Sequence, residues 1–343
     1  MQIVNKYKSI SKVDKFYIVH TNNADIKIYF LTDEIIRIRV SFDKKFKEES
    51  YILSSTGWDD RLDEVVGEYR NRINPMEPKL NESENEIVFK TGKLKLVLDK
   101  NEIGFSLYDS EGSLLYSDLK GNPFIFDSNN RVTHYSGMEE DECFYGFGEK
   151  TGILNKNKTF LRERATDAMG YDAKKMDTLY KHIPFYIRMR RERAAKKAVG
   201  LFYHNFYESV FNMGCEKSNY WPRYTYFQAD GGDIDLFLIG GNSIKKVVDN
   251  YTLLTGRPAL LPKRALGYQG SSMFYPELEK DSDDAVLDFI DTIKEEGFPI
   301  DGFHLSSGYT SYKNKRCVFT WNLDRFKNPR DYFKQMNEKG AQN

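Results

Sequence analysis

The sequence predicts a β-rich N-terminal part followed by an α/β part. Apolar residues occupy alternate positions in many short runs of the first two thirds of the chain, as expected for strands with one buried face. Helical spacing replaces this alternation after Gly240-Gly241. Strand and helix patterns then alternate to the end, which is typical of a parallel sheet. We therefore expect an antiparallel β-sandwich followed by two β/α units.

Period-two alternation marks the strands of the sandwich. Ile36, Ile38 and Val40 alternate with Arg37 and Arg39, so one face of this strand is expected to be buried and the other wet. The same pattern, with turn residues between the runs, predicts several further strands. They are expected at 94–98, 105–107, 114–116, Ile183–Met189, Val199–His204, Tyr224–Gln228 and Ile234–Ile239.

Two breaks in the pattern indicate the organisation of the chain. The charged stretch Gly67–Glu84 contains two prolines and is expected to be a loop. Asn242 or Ser243 is expected to cap a helix, and Pro258 and Pro262 bracket a short linker. The predicted organisation is a sandwich domain over 1–241, a helix and linker over 242–261, and the α/β part over 262–343.

The α/β part is predicted from strand, cap and helix signals in turn. Asp283 and Asp284 fall in the first turn of its first helix, where the helix dipole favours negative charge, so we expect them to be solvated or capping. Phe333 and Met336 are expected to face inward from its second helix. The predicted elements are a strand at Ala265–Gln269, a helix capped by Asp281 or Ser282, a strand at Pro299–Leu305 and a helix opened by Asn328 and Pro329.

Composition excludes several classes of function. Lys+Arg and Asp+Glu both number 51, so no net field favours nucleic acid or an acidic membrane. A basic run is expected to be a solvated hairpin face, and no nucleic-acid partner is expected. The run consists of Arg188, Arg190, Arg191, Arg193, Lys196 and Lys197.

Cysteine and histidine usage indicates neither a disulfide framework nor a metal site. The three cysteines, Cys143, Cys215 and Cys317, form no CxxC pair, and the five histidines form no HExxH motif. No metal and no cofactor are therefore expected. The N-terminal residues contain no long apolar stretch, so we expect neither a signal peptide nor a membrane span, and a cytoplasmic location is the default. A homo-oligomer is left open.

Three regions, in order along the chain, resemble glycoside hydrolase family 31. Residues 144–150, FYGFGEK, are similar to the family's YGxGE signature, and 166–172 and 179–185 are similar to its aspartate loop and its LYxxxPF strand. Residues 255–268 resemble the GRPxxxPxWxxG start of the family's barrel, with arginine in place of the tryptophan. Residues 298–326 resemble its IPxD strand and its FTWDxxxFP element.

The resemblance implies a galactose-mutarotase-like sandwich followed by the first two β/α units of a truncated (β/α)8 barrel. It further implies a retaining α-glycosidase with an oligosaccharide or glycoside substrate, which uses two carboxylates about 5–5.5 Å apart. In the family both are aspartates from later barrel strands, the nucleophile in a W-x-D-x-N-E-like motif. Trp58, Trp221 and Trp321 begin no such motif, so no catalytic residue is assigned to this chain. A non-catalytic carbohydrate-binding protein is the alternative.

The resemblance also suggests which residues contact the sugar. Barrel active sites form at the carboxyl ends of the strands, where Gln269, Ser306 and Tyr309 are expected to bind sugar hydroxyls. Asp167 lies in the sandwich loop that in relatives reaches over the pocket. Ordinary loop chemistry is the alternative for each of them.

One departure from the family concerns the sugar. Relatives that cut α-glucosides carry D-I-D-Y after the second strand, whereas this chain has Ser306, Ser307, Gly308 and Tyr309. Loss of both acids argues against a plain α-glucoside, and a galacto-configured or N-acetylated sugar is expected instead. Two β/α units also leave a strand edge without a partner, so residues from about 262 onward are predicted to be less stable than the sandwich.

Overall fold

The computed structural model describes residues 1–59, 62–63, 70–172, 174, 176–190 and 197–342. They belong to two units, Met1–Arg257 and Pro258–Asn343.

The strands of the first unit number from β1 to β21. They are β1 Gln2–Ile3, β2 Ser9–Val13, β3 Phe16–His20, β4 Asp25–Thr32, β5 Ile35–Ser41, β6 Ser55–Thr56, β7 Asn71–Arg72, β8 Lys79–Glu82, β9 Glu86–Lys90, β10 Leu94–Asp99, β11 Gly104–Asp109, β12 Leu114–Ser117, β13 Phe124–Phe126, β14 Val132–Gly137, β15 Glu142–Gly146, β16 Phe160–Glu163, β17 Phe185–Arg190, β18 Ala198–Tyr203, β19 Ser209–Asn212, β20 Tyr224–Ala229 and β21 Ile234–Gly241. Helix α1, Ile244–Thr255, ends this unit.

The second unit alternates short strands with helices. Its strands are β22 Gln269–Ser272, β23 Gly302–Leu305, β24 Ser311–Tyr312 and β25 Lys315–Arg316, its α-helices are α2 Ser282–Glu295 and α3 Pro329–Glu338, and its 3₁₀ turns are Lys263–Leu266, Tyr275–Glu277 and Ser307–Thr310.

The first unit is an antiparallel β-sandwich, as predicted. Its largest sheet has eight strands in the order β15-β17-β18-β21-β5-β4-β3-β2. A six-stranded sheet (β1-β13-β14-β20-β19-β16) and a five-stranded sheet (β12-β11-β10-β9-β8) supply the other layers. Ile28, Leu96 and Phe227, one from each sheet, belong to a single buried apolar cluster. Burial of such side chains is the main stabilising term of the unit.

Helix α1 packs on the other face of the eight-stranded sheet. Val247 and Leu254 on the helix join Phe202 and Phe237 of the sheet in a second buried cluster. Ser243 is the N-cap, as expected, because its side chain accepts a hydrogen bond from the amide of Lys246 at 3.2 Å. Val247 and Leu254 therefore attach the helix to the sheet, whereas Ile244 and Val248 are exposed.

The expected wet face of β5 is wrong. The side chains of Arg37 and Arg39 are 1% and 9% exposed, because acids from β21 and from a loop cover them. Arg37 contacts Asp235 and Glu48 at 2.7 Å, and Arg39 contacts Asp233 at 2.8 Å. Alternation identifies the apolar face of a strand, but it does not reveal what covers the polar face.

The expected loop Gly67–Glu84 is also wrong in part, because its described residues include β7 and β8. The start of the basic run is not a solvated face either. Arg188 is buried and contacts Glu142 at 2.7 Å, so its charge is neutralised inside the unit. Arg191, Arg193 and Lys196 lie outside the described residues.

The second unit contains the predicted parallel sheet. β22 pairs with β23 in parallel, with Gln269 opposite Gly302 and Ser272 opposite Leu305. The strand expected at Ala265–Gln269 is wrong, because this segment turns as a 3₁₀ helix and β22 begins only at Gln269. A short apolar run does not by itself separate strand from helix.

The helices of the second unit form a small core on this sheet. Ile290 of α2, Phe303 of β23 and Met336 of α3 are buried together. Phe333 was expected inside but is 37% exposed, and the neighbouring Tyr332 is buried in its place. Successive side chains on a helix point about 100° apart. The spacing in the sequence assigned the inward position to Phe333, whereas the structure gives it to Tyr332.

The acidic start of α2 contributes to the link between the two helices. Asp283 is buried and accepts hydrogen bonds from the amides of Lys327 and Asp284, at 2.9 and 3.0 Å. Asp284 and Asp281 contact the ammonium of Lys327 at 3.3 and 2.6 Å. These acids therefore hold the segment that leads into α3, and nothing in their contacts suggests catalysis.

Candidate functional site

The carboxyl ends of β22 and β23 form the first candidate region. β22 ends at Ser272 and β23 at Leu305, and these two residues are paired. Ser306 follows β23 directly in an extended conformation, and Tyr309 lies in the 3₁₀ turn after it. Because parallel strands end at the same edge, Ser272, Ser306 and Tyr309 lie at one edge of the sheet.

Gln269 lies at the opposite end of its strand. It is the first residue of β22, opposite Gly302, and its side-chain amide donates to the carbonyl of Arg264 at 2.9 Å. The shifted strand therefore separates Gln269 from Ser306 and Tyr309. Ser272 is the last residue of β22. The polar run Gln-Gly-Ser-Ser alone did not show which of its residues ends the strand.

Tyr309 is held by the segment that resembles the family's FTWDxxxFP element. Its ring lies 4.9 Å from that of Trp321, and its carbonyl accepts from the amide of Asn322 at 2.7 Å. The hydroxyls of Thr310 and Thr320 are 3.2 Å apart. These contacts restrict the orientation of the tyrosine at the strand edge.

The side chain of Glu277 lies beside Gly308, one of the two positions where the related α-glucosidases carry an acid. A Cβ atom on Gly308 would lie 2.3 Å from the carbonyl oxygen of Pro276 and 2.6 Å from Cγ of Glu277. This backbone therefore excludes an aspartate at position 308. Glu277 follows β22 and contacts Arg316 at 3.5 Å. Sequence reasoning missed Glu277, because only the fold brings the two loops together.

Asp167 lies in the first unit and forms the second candidate region. It is exposed, and its carboxylate accepts from the Tyr180 hydroxyl at 3.0 Å. The amide of Thr166 donates to the carbonyl of Leu179 at 2.9 Å. The hydrogen bond to the Asp167 carboxylate raises the pKa of Tyr180. The two motif segments are thus joined, and the Asp167 carboxylate is available at the surface.

A buried ion pair holds this loop to the sandwich. Lys150 and Glu163, both almost fully buried, are 3.3 Å apart, and Glu163 also accepts from the amide of Ile183 at 3.1 Å. Burial raises the pKa of Glu163 to about 7. Burial, with a smaller contribution from Lys150, lowers the pKa of His182 to about 4. The motif segments 144–150 and 179–185 therefore meet Glu163, the last residue of β16, at one buried charge cluster.

The glycine signature 144–150 has a steric explanation. Gly146 has φ of 134°, and a Cβ atom there would lie 2.6 Å from the carbonyl oxygen of Phe185. Phe147 follows with φ of 67° and stacks on Tyr186 at 4.9 Å. The turn thus needs glycine to let the neighbouring strand approach.

Within the described residues, no group of three or more histidine, cysteine or acidic side chains could hold a metal ion. None of their α-helices combines the length and apolar character that a membrane crossing requires.

Comparison with known protein families matches the chain twice. Residues 25–212 match the glycosyl hydrolase 31 N-terminal galactose mutarotase-like domain. Residues 258–343 match the TIM-barrel domain of glycosyl hydrolases family 31.

Individual relatives cover between 78% and 99% of the chain. Alpha-glucosidase 2 of Bacillus thermoamyloliquefaciens is 29% identical over 98% of this chain and 39% of its own length. Alpha-xylosidase XylQ of Lactiplantibacillus pentosus is 25% identical over 78% of this chain and 34% of its own. A Flavobacterium johnsoniae GH31 dextranase, solved with isomaltotriose, superposes with a TM-score of 0.81 at 24% identity, over 99% of this chain and 38% of that one. The chain thus spans about two fifths or less of the length of these relatives.

Proposed function

Because this chain belongs to glycosyl hydrolase family 31, we propose that it is part of an α-glycosidase that hydrolyses terminal α-linked sugars with retention. The two domain matches, in the family's order, carry the proposal. The enzymes named among its relatives, an α-glucosidase, an α-xylosidase and a dextranase, support this class of reaction.

The residues of this chain have a binding role in the proposal. Retaining glycosidases need a nucleophilic carboxylate and an acid/base carboxylate, and no residue of the 343 is assigned to either. We assign sugar contacts to Ser306 and Tyr309 at the strand edge and to Asp167 of the first unit. Gln269 is not included, because it lies at the amino end of β22.

We infer the sugar specificity from the carboxylate that lies beside Gly308. Position 308 admits no side chain, and Glu277 is the acid packed against it. We propose that Glu277, rather than an aspartate after β23, accepts hydrogen bonds from sugar hydroxyls. A displaced acceptor favours a different arrangement of hydroxyls, so a galacto-configured or N-acetylated sugar is the proposed alternative to glucose.

A non-catalytic carbohydrate-binding role is the second candidate. Binding of sugar without turnover, by the product of the complete reading frame, would distinguish this role.

The test is to express the complete reading frame that contains this chain, beside the 343 residues alone. Nitrophenyl α-glycosides of glucose, xylose, galactose and N-acetylgalactosamine serve as substrates, and NMR identifies the first-formed anomer. We expect turnover with retention by the complete product only, and Glu277→Gln should raise KM more than it lowers kcat. Inversion, or the absence of turnover with any α-glycoside, would contradict the proposal.

A further inference from the structure

The first unit contains a cavity of about 530 Å³ that the proposed function does not use. It opens where β5, β21, the loop after β18 and residues 47–52 meet. Its volume is within the range of small-molecule sites. Its lining includes Arg39, Tyr51, His204, Phe206, Tyr207 and Asp233.

Charged side chains form one side of the cavity. Nε and Nη2 of Arg39 both contact Oδ2 of Asp233 at 2.8 Å. Their side chains are 9% and 16% exposed. A carboxylate oxygen has capacity for more than one hydrogen bond, so this pair offers fixed acceptors and donors to a ligand.

A chain of hydrogen bonds holds residues 50–53 at the cavity. Asp235 contacts Nδ1 of His204 at 3.1 Å, and Nε2 of His204 contacts the Ser50 hydroxyl at 2.7 Å. The arrangement resembles a nucleophilic triad. Two bonds from Arg37 to Asp235, at 2.8 and 2.7 Å, however, neutralise the acid that would stabilise a protonated histidine. Ser50 also accepts from the amide of Leu53 at 3.2 Å, so the chain of bonds is a support for the loop.

Aromatic rings form the rim. Tyr51, Tyr207 and Phe206 are 89%, 56% and 44% exposed. Tyr207 is fixed because its ring rests on Gly231 and Gly232, where a Cβ atom would come within 2.8 and 3.3 Å of the ring. An exposed ring that cannot rotate away loses little entropy when a ligand stacks on it.

The balance of charge indicates the class of ligand. Arg39 and Lys47 oppose Glu49 and Asp233 in the lining, and the fifth charged residue, Asp235, is paired with Arg37. A site of near-zero net charge gives no preference for an anion. Fixed donors and acceptors beside exposed rings match a ligand that has hydroxyls at its edge and an apolar face.

We propose that this cavity is a carbohydrate-binding site on the sandwich, in addition to the contacts at the strand edge. The choice of a sugar among neutral polyols rests on the proposed function, whereas the cavity and its charge balance do not. The site takes a short neutral oligosaccharide, with a ring stacked on Tyr207 and its hydroxyls bonded to Arg39 and Asp233.

The test is calorimetric titration of the 343-residue chain with isomaltotriose, with maltotriose and, separately, with inorganic phosphate. We expect saturable binding of at least one trisaccharide. Loss of a stacked ring is expected to cost about tenfold in affinity, so Tyr207→Ala should weaken binding at least that much. Tyr51→Ala should weaken it less, because this ring is almost fully exposed.

Tyr220→Ala is the matched control, because Tyr220 is 94% exposed and does not line the cavity. It should bind like the unaltered chain. No binding of either trisaccharide, equal binding by the Tyr207 and Tyr220 variants, or binding of phosphate alone would overturn the proposal. Hydrolysis by the complete reading frame is measured independently, so failure of this site is distinguishable from failure of the proposed function.

Discussion

The two units of this chain differ in how their sheets are covered. In the first unit, apolar clusters lie on both faces of the eight-stranded sheet, and even the arginines of β5 are buried and paired. In the second unit, the parallel sheet has two strands, and large apolar side chains remain at the surface. Leu260, Val318 and Phe319 are 99%, 74% and 103% exposed.

This contrast indicates where the stability of the chain resides. Parallel sheets occur almost only with both faces covered, and exposed apolar surface contributes nothing to folding. The first unit therefore contains what it needs to fold, whereas the second buries one small cluster around Ile290, Phe303 and Met336. We expect the two units to unfold separately, the second before the first.

The largest effect is expected from Arg37→Ala in the first unit. Removal of the guanidinium leaves the buried Asp235 with His204 alone and Glu48 with Lys27 and Arg39. Loss of one member of such a buried ion-pair network costs about 3–5 kcal/mol. Urea unfolding followed by circular dichroism measures the loss. Arg131→Ala is the control, because its ion pair with Asp127 is partly exposed and is worth at most about 1 kcal/mol. Equal losses in the two variants would show that the buried charges do not stabilise the sandwich.

Met336→Ala should separate the two units. The side chain is fully buried in the second unit, and truncation of a buried methionine costs about 2–5 kcal/mol. That loss should unfold the second unit while the sandwich remains folded, and limited proteolysis should release a fragment near 1–257. Met213→Ala removes an equally buried methionine from the first unit. If Met336→Ala destabilised the sandwich as much as Met213→Ala does, the assignment of stability would be wrong.

Glu163→Gln should change the pH dependence of the first unit. The raised pKa of Glu163, about 7, stabilises the fold at pH below about 4.5, and this contribution is lost as the pH rises through 7. The lowered pKa of His182, about 4, acts in the opposite direction, because its contribution is present above pH 6.5 and lost as the pH falls through 4. The two effects oppose each other between pH 4.5 and 6.5.

The variant retains only the histidine effect. Its free energy of unfolding, relative to the unaltered chain, should therefore rise by about 3 kcal/mol between pH 4.5 and 7.5. His182→Gln should show the reverse trend, a fall relative to the unaltered chain as the pH rises from about 4 to 6.5, the window of His182. Parallel pH profiles for the unaltered chain and the Glu163 variant would disprove the buried charge cluster.

The smallest effects are expected from the helix caps, one in each unit. Ser243 and Asn328 accept hydrogen bonds from the amides of Lys246 and Asp331, at 3.2 and 3.3 Å. Ser243→Ala and Asn328→Ala should each cost about 1 kcal/mol. The first substitution should lower only the sandwich transition and the second only the transition of the other unit. A shift of both transitions by either variant would mean that the units unfold together.

Local patterns predicted much of this architecture. The alternation around Ile36 and the caps at Ser243 and Asn328 depend on neighbouring residues, so the sequence reveals them. The covered face of Arg37, the start of β22 at Gln269 and the inward turn of Tyr332 depend on distant partners. Glu277 was not predicted as a site residue for the same reason, because only the fold brings its loop against Gly308.

Hydrogen exchange of the 343-residue chain tests the contrast between the units most directly. Amides of β5 and β21, at the centre of the large sheet, should exchange only on global unfolding of the sandwich. Those of β22 and β23 should exchange orders of magnitude faster, through opening of the second unit alone. Equal protection of the two sets of strands would contradict the account.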